Sequence, residues 1–152
     1  MSRAAVNREG GLADMWTFRK QGSSVTTKQR GDAAEELALA HLQRAGLRLV
    51  QRNFKTPGRG GGEIDLIMRE PDGTLVFVEV RQRASASRGG AGGSVTPLKQ
   101  RRIVFAARHF LLRLGSEPPC RFDVVLIDGA ISPGEAPSVQ WLRAAFDAAA
   151  TS

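Results

Sequence analysis

The sequence predicts an α/β fold in which a mixed central sheet lies between helices. Three observations predict it. Two stretches, about 27–45 and about 96–114, carry apolar residues at helical spacing and stop at Gly46 and Gly115. Two short runs rich in Ile, Val and Phe flank Glu70-Pro71-Asp72-Gly73, as a strand, a turn and a strand would. Residues 121–128 are almost continuously apolar, which suits a strand buried on both faces. The resulting order is helix, three strands, helix, strand and a short closing helix.

Residues 1–25 mix Gly, Ser, Arg and Lys with no sustained period and read as a flexible leader, or as a basic arm that touches phosphate. Residues 26–148 are expected to form a single domain and 149–152 a tail. In the first helix Ala34, Leu37, Ala38, His41, Leu42 and Ala45 follow the helical period. Glu35 borders that stripe, in line with Leu39 and Leu42, and Glu36 points further towards solvent. His41 reads as a packing residue, because the other histidine, His109, lies far along the chain. Leu47 to Phe54 reads as the first strand. The loop that follows, Lys55 to Gly62, ends in three glycines that allow a close backbone approach. It lacks the Gly-Lys-Ser/Thr ending of a phosphate-binding P-loop. It is either a connector bearing two cations, Lys55 and Arg59, or a loop that tracks a phosphodiester backbone.

The central hairpin holds the chemistry. Side chains alternate across a strand, so Glu63, Asp65 and Ile67 share one face of its first strand and Leu75, Phe77, Glu79 and Arg81 one face of its second. The tightest register that matches these faces sets Ile67 opposite Phe77, Asp65 opposite Glu79 and Glu63 opposite Arg81. Like charges directly across a sheet repel. A divalent cation with a taste for carboxylate oxygen would resolve the Asp65–Glu79 conflict; so would a proton, or solvent at a sheet edge. Beyond the hairpin, Gln82 to Ser94 is a Gly-rich loop with Arg83 and Arg88. Thr96 and Pro97 are suited to the N-cap and first position of the second helix. Ile103, Ala107, Phe110, Leu111 and Leu114 form its buried stripe. Lys99, Arg101 and Arg102 crowd its positive end, an arrangement that favours an arriving phosphate or is simply a solvated basic face. Asp123 reads as structural, paired with Arg121 or capping a helix. Pro133 to Pro137 is a loop, and Trp141, Leu142, Ala145 and Phe146 suggest a short amphipathic helix.

With 152 residues, 41% hydrophobic and 24% charged, the chain has the make-up of one ordinary soluble domain. It has no apolar run near the roughly 20 residues that cross a bilayer, and no continuous apolar segment of the secretory type at its N-terminus, so no membrane partner is expected. Its single cysteine, Cys120, excludes an internal disulfide and suits a cytoplasmic location. Lys and Arg number 22 against 15 Asp and Glu, a formal net charge of +7. That is the footprint of a polyanion binder, or the mark of an Arg-rich proteome.

Asp65 followed on the next strand by Glu79-Val80-Arg81 resembles the acidic core of the PD-(D/E)xK nucleases, the restriction-endonuclease-like superfamily. More closely, Gly62-Glu63-Ile64-Asp65-Leu66-Ile67 with Phe77-Val78-Glu79-Val80-Arg81-Gln82-Arg83 resembles the YraN-like family, which is similar to archaeal Holliday junction resolvases. Gly31-x-x-Ala34-Glu35, Lys99-Gln100 and Arg121-Phe122-Asp123-Val124-Val125 extend the likeness from about Gly31 to Phe146. It implies a restriction-endonuclease-like sandwich and a metal-dependent nuclease acting on branched or structured DNA, working as a homodimer. It implies Mg2+ (or Mn2+) held by Asp65, Glu79 and the carbonyl of Val80, with Glu35 and Glu63 as accessory carboxylates. Lys99, Gln100, Arg102, Arg83 and Arg59 are the expected nucleic-acid contacts. The chain departs from the family at Arg81, where the family has Lys. Arg can stabilise a charged transition state but, being always charged, is a poor proton acceptor; Lys99 or Gln100 would compensate. Two other classes remain open: a nucleic-acid-binding protein that keeps the fold without turnover, which Arg81 favours, and a protein-interaction module whose acidic face is a salt-bridge network.

Overall fold

Helix α1, Thr27–Arg44, starts at a reciprocal cap. The Thr26 hydroxyl accepts the Gln29 N–H at 3.1 Å, and the Gln29 side chain accepts the Thr26 N–H at 2.9 Å. The computed structural model describes residues 26–83, 95–129 and 136–148. The expected leader (1–25), most of the Gly-rich loop with Arg88 (84–94), residues 130–135 with the first part of the Pro133 to Pro137 loop, and the tail (149–152) lie outside the described residues. The chain divides into two compact units, residues 1–30 and 31–152. Every element after the start of α1 belongs to the second.

Five strands follow, with one more helix between them: β1 Arg48–Lys55, β2 Glu63–Arg69, β3 Leu75–Arg83, α2 Pro97–Leu114, β4 Cys120–Asp128 and β5 Ser138–Phe146. They form one sheet in the order β1-β2-β3-β4-β5. Every neighbouring pair is antiparallel except β3 and β4, which are parallel and joined through α2. A parallel pair needs such a crossover, whereas β2 and β3 need only a turn. In that turn Gly73, at φ 97°, donates to the Glu70 carbonyl, and the Asp72 carboxylate accepts the Thr74 N–H at 2.9 Å.

The sheet buries both faces. On one, α2 lays Ile103, Val104, Ala106, Ala107 and Phe110 against Phe54, Ile67, Leu75, Phe77, Phe122 and Val124. On the other, α1 lays Ala34, Ala38, Leu39 and Leu42 against Leu66, Met68, Val76, Val78, Val125 and Ile127. This is the α/β sandwich expected, a mixed sheet between helices, and its arrangement is consistent with a restriction-endonuclease-like sandwich. Ile64 departs from strict alternation. It joins Phe54 in the α2-side cluster, although Leu66 and Met68 face α1. The crossing occurs beside Asn53, which has a φ of 51° and lies between the Arg52–Leu66 and Phe54–Ile64 pairs.

One element is corrected. The expected closing helix at Trp141–Phe146 is the edge strand β5, antiparallel to β4. Its apolar residues divide between faces as a strand requires: Val139 and Trp141 pack on the α1 side, Leu142 and Phe146 on the α2 side. Ala144, at φ 49°, and a register shift between Phe122 and Val124 displace the end of the strand and give its sequence a helix-like spacing. Buried Asp123 ties it down, accepting from Trp141 Nε1 at 2.8 Å, Ala144 N at 2.9 Å and the Arg121 guanidinium at 2.9 and 3.0 Å. Arg121 also holds Glu70 at 2.8 Å. The structural reading of Asp123 therefore holds, with Arg121 as its partner.

Candidate active site

The hairpin pairs Ile67 with Phe77 as expected, but the ladder between β2 and β3 ends at Leu66 and Val78. Asp65 and Glu79 are therefore not a cross-strand pair of the ladder. Instead the Asp65 carboxylate reaches across the opening and accepts the Val80 N–H at 2.8 Å, so a side chain takes the place of the backbone partner that β3 would otherwise lack. Glu79 lies beside it, 6% exposed. Its Oε2 is 3.6 Å from the Lys99 ammonium on α2, and its Oε1 is enclosed without a hydrogen-bond partner.

Such an environment disfavours the ionised acid. Burial, then the charge of Asp65, pushes the Glu79 carboxyl up to about 8, against an opposing pull from Lys99 and a weaker one from Arg81. Burial also raises Asp65, while the Val80 N–H, Glu79 and Lys99 favour its charged form. Glu79, with the more enclosed oxygen, is the acid that keeps its proton at neutral pH, facing an Asp65 that accepts. A third carboxylate approaches from the opposite helix. Glu35 Oε1 is also enclosed without a hydrogen-bond partner, 4.0 Å from Arg52 Nη2. Burial first, and the charge of Asp65 next, raises its pKa, while Asn53 and Arg52 act the other way. Glu36, by contrast, is exposed and pairs with Arg52 at 2.6 Å.

The loop before β2 is closed by a buried threonine. Thr56 donates its N–H to the Gly62 carbonyl at 3.0 Å, and its hydroxyl accepts the Gly62 N–H at 2.7 Å. The glycines serve this closure and the helix beyond it. A Cβ at Gly61 would stand 1.9 Å from Thr56 Oγ1, and one at Gly62 would stand 1.9 Å from the Arg102 carbonyl on α2. The close approach anticipated for a ligand is thus an approach to α2. At the start of that helix Thr96 Oγ1 accepts the Lys99 N–H at 3.2 Å, Pro97 occupies the first turn, and Gln100 Nε2 donates to the Val95 carbonyl at 2.8 Å.

The remaining expected site residues divide into neighbours of the carboxylates and residues held elsewhere. Glu63 opens β2 opposite Lys55, and its charge acts on Asp65. Arg81 is half-buried on β3. Arg102 and Arg59 are exposed. Gln100 is engaged with the backbone at Val95, and Arg83 grips Asp128 at the far end of β3 through two nitrogens, one at 2.8 Å. The structure adds three residues that the sequence reading passed over: Asn53, Arg52 and Thr56. Only Asn53 carried a signal, since Asn tolerates a left-handed backbone better than most residues.

Among the described residues no group of three or more His, Cys, Asp or Glu is set to hold a metal ion. What the site offers is the Asp65–Glu79 pair and two enclosed carboxylate oxygens without hydrogen-bond partners, one on Glu79 and one on Glu35. That donor set fits a hard divalent cation that keeps part of its water shell. Two clefts, of about 610 and 660 Å3, lie one beside Arg108–Glu117 and the other beside Gln100, Cys120–Phe122 and Ala144–Ala148. Among the described residues no helix is long and apolar enough to cross a membrane.

The model of "Uncharacterised protein family UPF0102" matches residues 34–127, a span that includes Glu35, Asp65, Glu79 and Lys99. A UPF0102 protein of Polaromonas naphthalenivorans is 68% identical over 152 residues, covering 88% of this chain and 99% of that protein. One from Albidiferax ferrireducens is 68% identical over 123 residues, covering 81% and 91%. The crystal structure of SSO0001 aligns with 96% of this chain and 65% of that one at 14% identity, with a TM-score of 0.36. The chain therefore belongs to the UPF0102 family, the YraN-like family that its central motif resembles.

Proposed function

We propose that this protein is a cytoplasmic, metal-dependent endonuclease acting on DNA, with branched or structured DNA as its substrate class. One observation carries the reading. Asp65 and Glu79 meet where the β2–β3 ladder opens, Glu79 is buried with an oxygen lacking any partner, and burial and mutual repulsion make its ionisation costly. A divalent cation would offset that cost beyond what the Lys99 ammonium, 3.6 Å from Glu79, already does. Asp65, Glu79 and the Val80 carbonyl would hold Mg2+ or Mn2+, which supplies polarisation of the scissile phosphate and a more acidic attacking water. The reaction adds water to phosphorus and breaks one P–O ester bond; the water's two protons end on the departing hydroxyl and on the new phosphate monoester. Glu35 and Glu63 flank the pair and orient water. Arg59, Arg102 and the net charge of +7 hold the phosphate backbone. A homodimer would let two strands of a junction be cut symmetrically.

Cleavage of labelled single-strand, duplex, flap and four-way-junction DNA with Mg2+ or Mn2+ tests this, beside an Asp65→Ala/Glu79→Ala control. Metal-dependent cutting that the control loses is the expected result. Salt-sensitive binding without cutting, by the natural protein and by Arg81→Lys alike, would refute it. That outcome belongs to the second reading, a DNA-binding protein without turnover, which the arginine at position 81 favours.

A further inference from the structure

We infer that Lys99, carried on α2, is the cation that serves the Asp65–Glu79 pair, and that Arg81, although it stands two residues after Glu79, is not. The reaction in which Lys99 acts rests on the nuclease reading above; the placement of its ammonium does not.

Distance is the first argument. Lys99 Nζ lies 3.6 Å from Glu79 Oε2 and is the charge that most favours an ionised Glu79, ahead of Arg81. Lys99 also favours the charged form of Asp65. One ammonium therefore acts on both acids, from the helix rather than from the strand that carries the motif.

Placement is the second. The lysine sits in the first turn of α2, where four independent devices fix the backbone. Thr96 caps the Lys99 N–H, Pro97 presets the first helical residue, and Gln100 anchors to the Val95 carbonyl. Gly62 lets the helix come so near β2 that no side chain fits between them. These devices fix the point from which the lysine stem extends towards Glu79.

Exposure is the third. The Lys99 side chain is 39% exposed and that of Glu79 is 7% exposed. The ammonium thus stands on the solvent side of the acids, where a phosphodiester arriving from water would first meet it. It donates there to a non-bridging phosphate oxygen, on which negative charge grows as water adds to phosphorus and the P–O ester bond breaks. A compact ammonium with three rotatable donors suits this position; a planar guanidinium needs its partners laid out in a fork. The departure of the chain from the YraN-like pattern at Arg81 therefore removes no cation from the pair.

Three variants decide the matter: Lys99→Met, Lys99→Arg and Arg81→Met, each checked for native circular dichroism. Two quantities are measured on the full chain, junction cleavage and the dissociation constant for Mn2+ without DNA. Lys99→Met is expected to lower cleavage by about 10²- to 10³-fold while tightening Mn2+ binding by about fivefold, because a competing charge 3.6 Å from Glu79 Oε2 has gone. Lys99→Arg should keep part of the cleavage, and Arg81→Met should have the smaller effect on both quantities. A structural role for Lys99 would not raise metal affinity while lowering turnover. Unchanged or weaker Mn2+ binding in Lys99→Met, no Mn2+ binding by any form, or a larger loss of cleavage in Arg81→Met would each overturn the inference. Should the natural protein and Arg81→Lys both cut none of the DNAs, the nuclease reading fails, and the Mn2+ comparison of Lys99→Met with Arg81→Met still decides which cation serves the pair.

Discussion

Replacing Glu79 by Gln puts a permanently neutral, hydrogen-bond-donating group where the acid holds its proton. The carboxyl titrates near 4.5 in an ordinary setting and is pushed up to about 8 here. Below pH 4.5 the folded and unfolded chains both carry it protonated, and pH does not matter. Above that point the unfolded chain ionises while the folded chain keeps its proton, so the natural protein loses stability by at most about 1.4 kcal/mol per pH unit. The loss levels off near pH 8 at a ceiling of roughly 5 kcal/mol; ionisation shared with Asp65 and the counter-charge of Lys99 keep the real value lower. Glu79→Gln escapes this loss. Urea midpoints of the two proteins, measured between pH 5 and 8 with divalent ions chelated, should diverge steadily in favour of the variant. Their difference should grow by about 2–3 kcal/mol between pH 5 and pH 7. A difference that stays constant with pH would show that Glu79 titrates as an ordinary surface acid, and the proton-sharing account of the site would fall.

Two further predictions concern what supports the site. Asp123→Ala would strand the Arg121 guanidinium, the Trp141 indole and the Ala144 N–H, and should lower unfolding stability by about 3–5 kcal/mol in urea titration; a loss under about 1 kcal/mol would mean that water replaces the carboxylate. Gly62→Ala would set a methyl 1.9 Å from the Arg102 carbonyl, and the backbone shift it forces should cost about 1–3 kcal/mol by the same titration. Unchanged stability there would mean that α2 is free to move away from β2.

The hairpin, its turn and the pairing of Ile67 with Phe77 were legible because period-2 alternation and the Pro-Asp-Gly turn act locally. The start and end of α2 were legible for the same reason, from Thr96, Pro97 and Gly115. The cap of α1 was equally local, a threonine three residues before a glutamine, and was open to a closer reading. What alternation could not foresee is where a ladder stops. Carried past Leu66, it set Asp65 against Glu79 across the sheet, whereas Asp65 spends its carboxylate on the Val80 N–H. The two acids were brought together correctly and on the register that the paired residues keep, one position past the last pair of the ladder. The closing strand was missed because Trp141, Leu142, Ala145 and Phe146 fit a helical wheel once the left-handed turn at Ala144 has shifted their phase, and its tie to Asp123 joins residues about twenty positions apart. The placement of Lys99 beside Glu79 depends in the same way on contact between distant elements, here α2 and the loop ending at Gly62.

The outer strands bear on how copies of this protein can meet. β1 has a register shift between Leu49 and Gln51 and a left-handed Asn53; β5 has its own shift and a left-handed Ala144. Each rim of the sheet is therefore bent away from the regular spacing of donors and acceptors that a docking strand would need. Extension of the sheet from one copy into the next is discouraged at both ends, which guards against fibrous stacking.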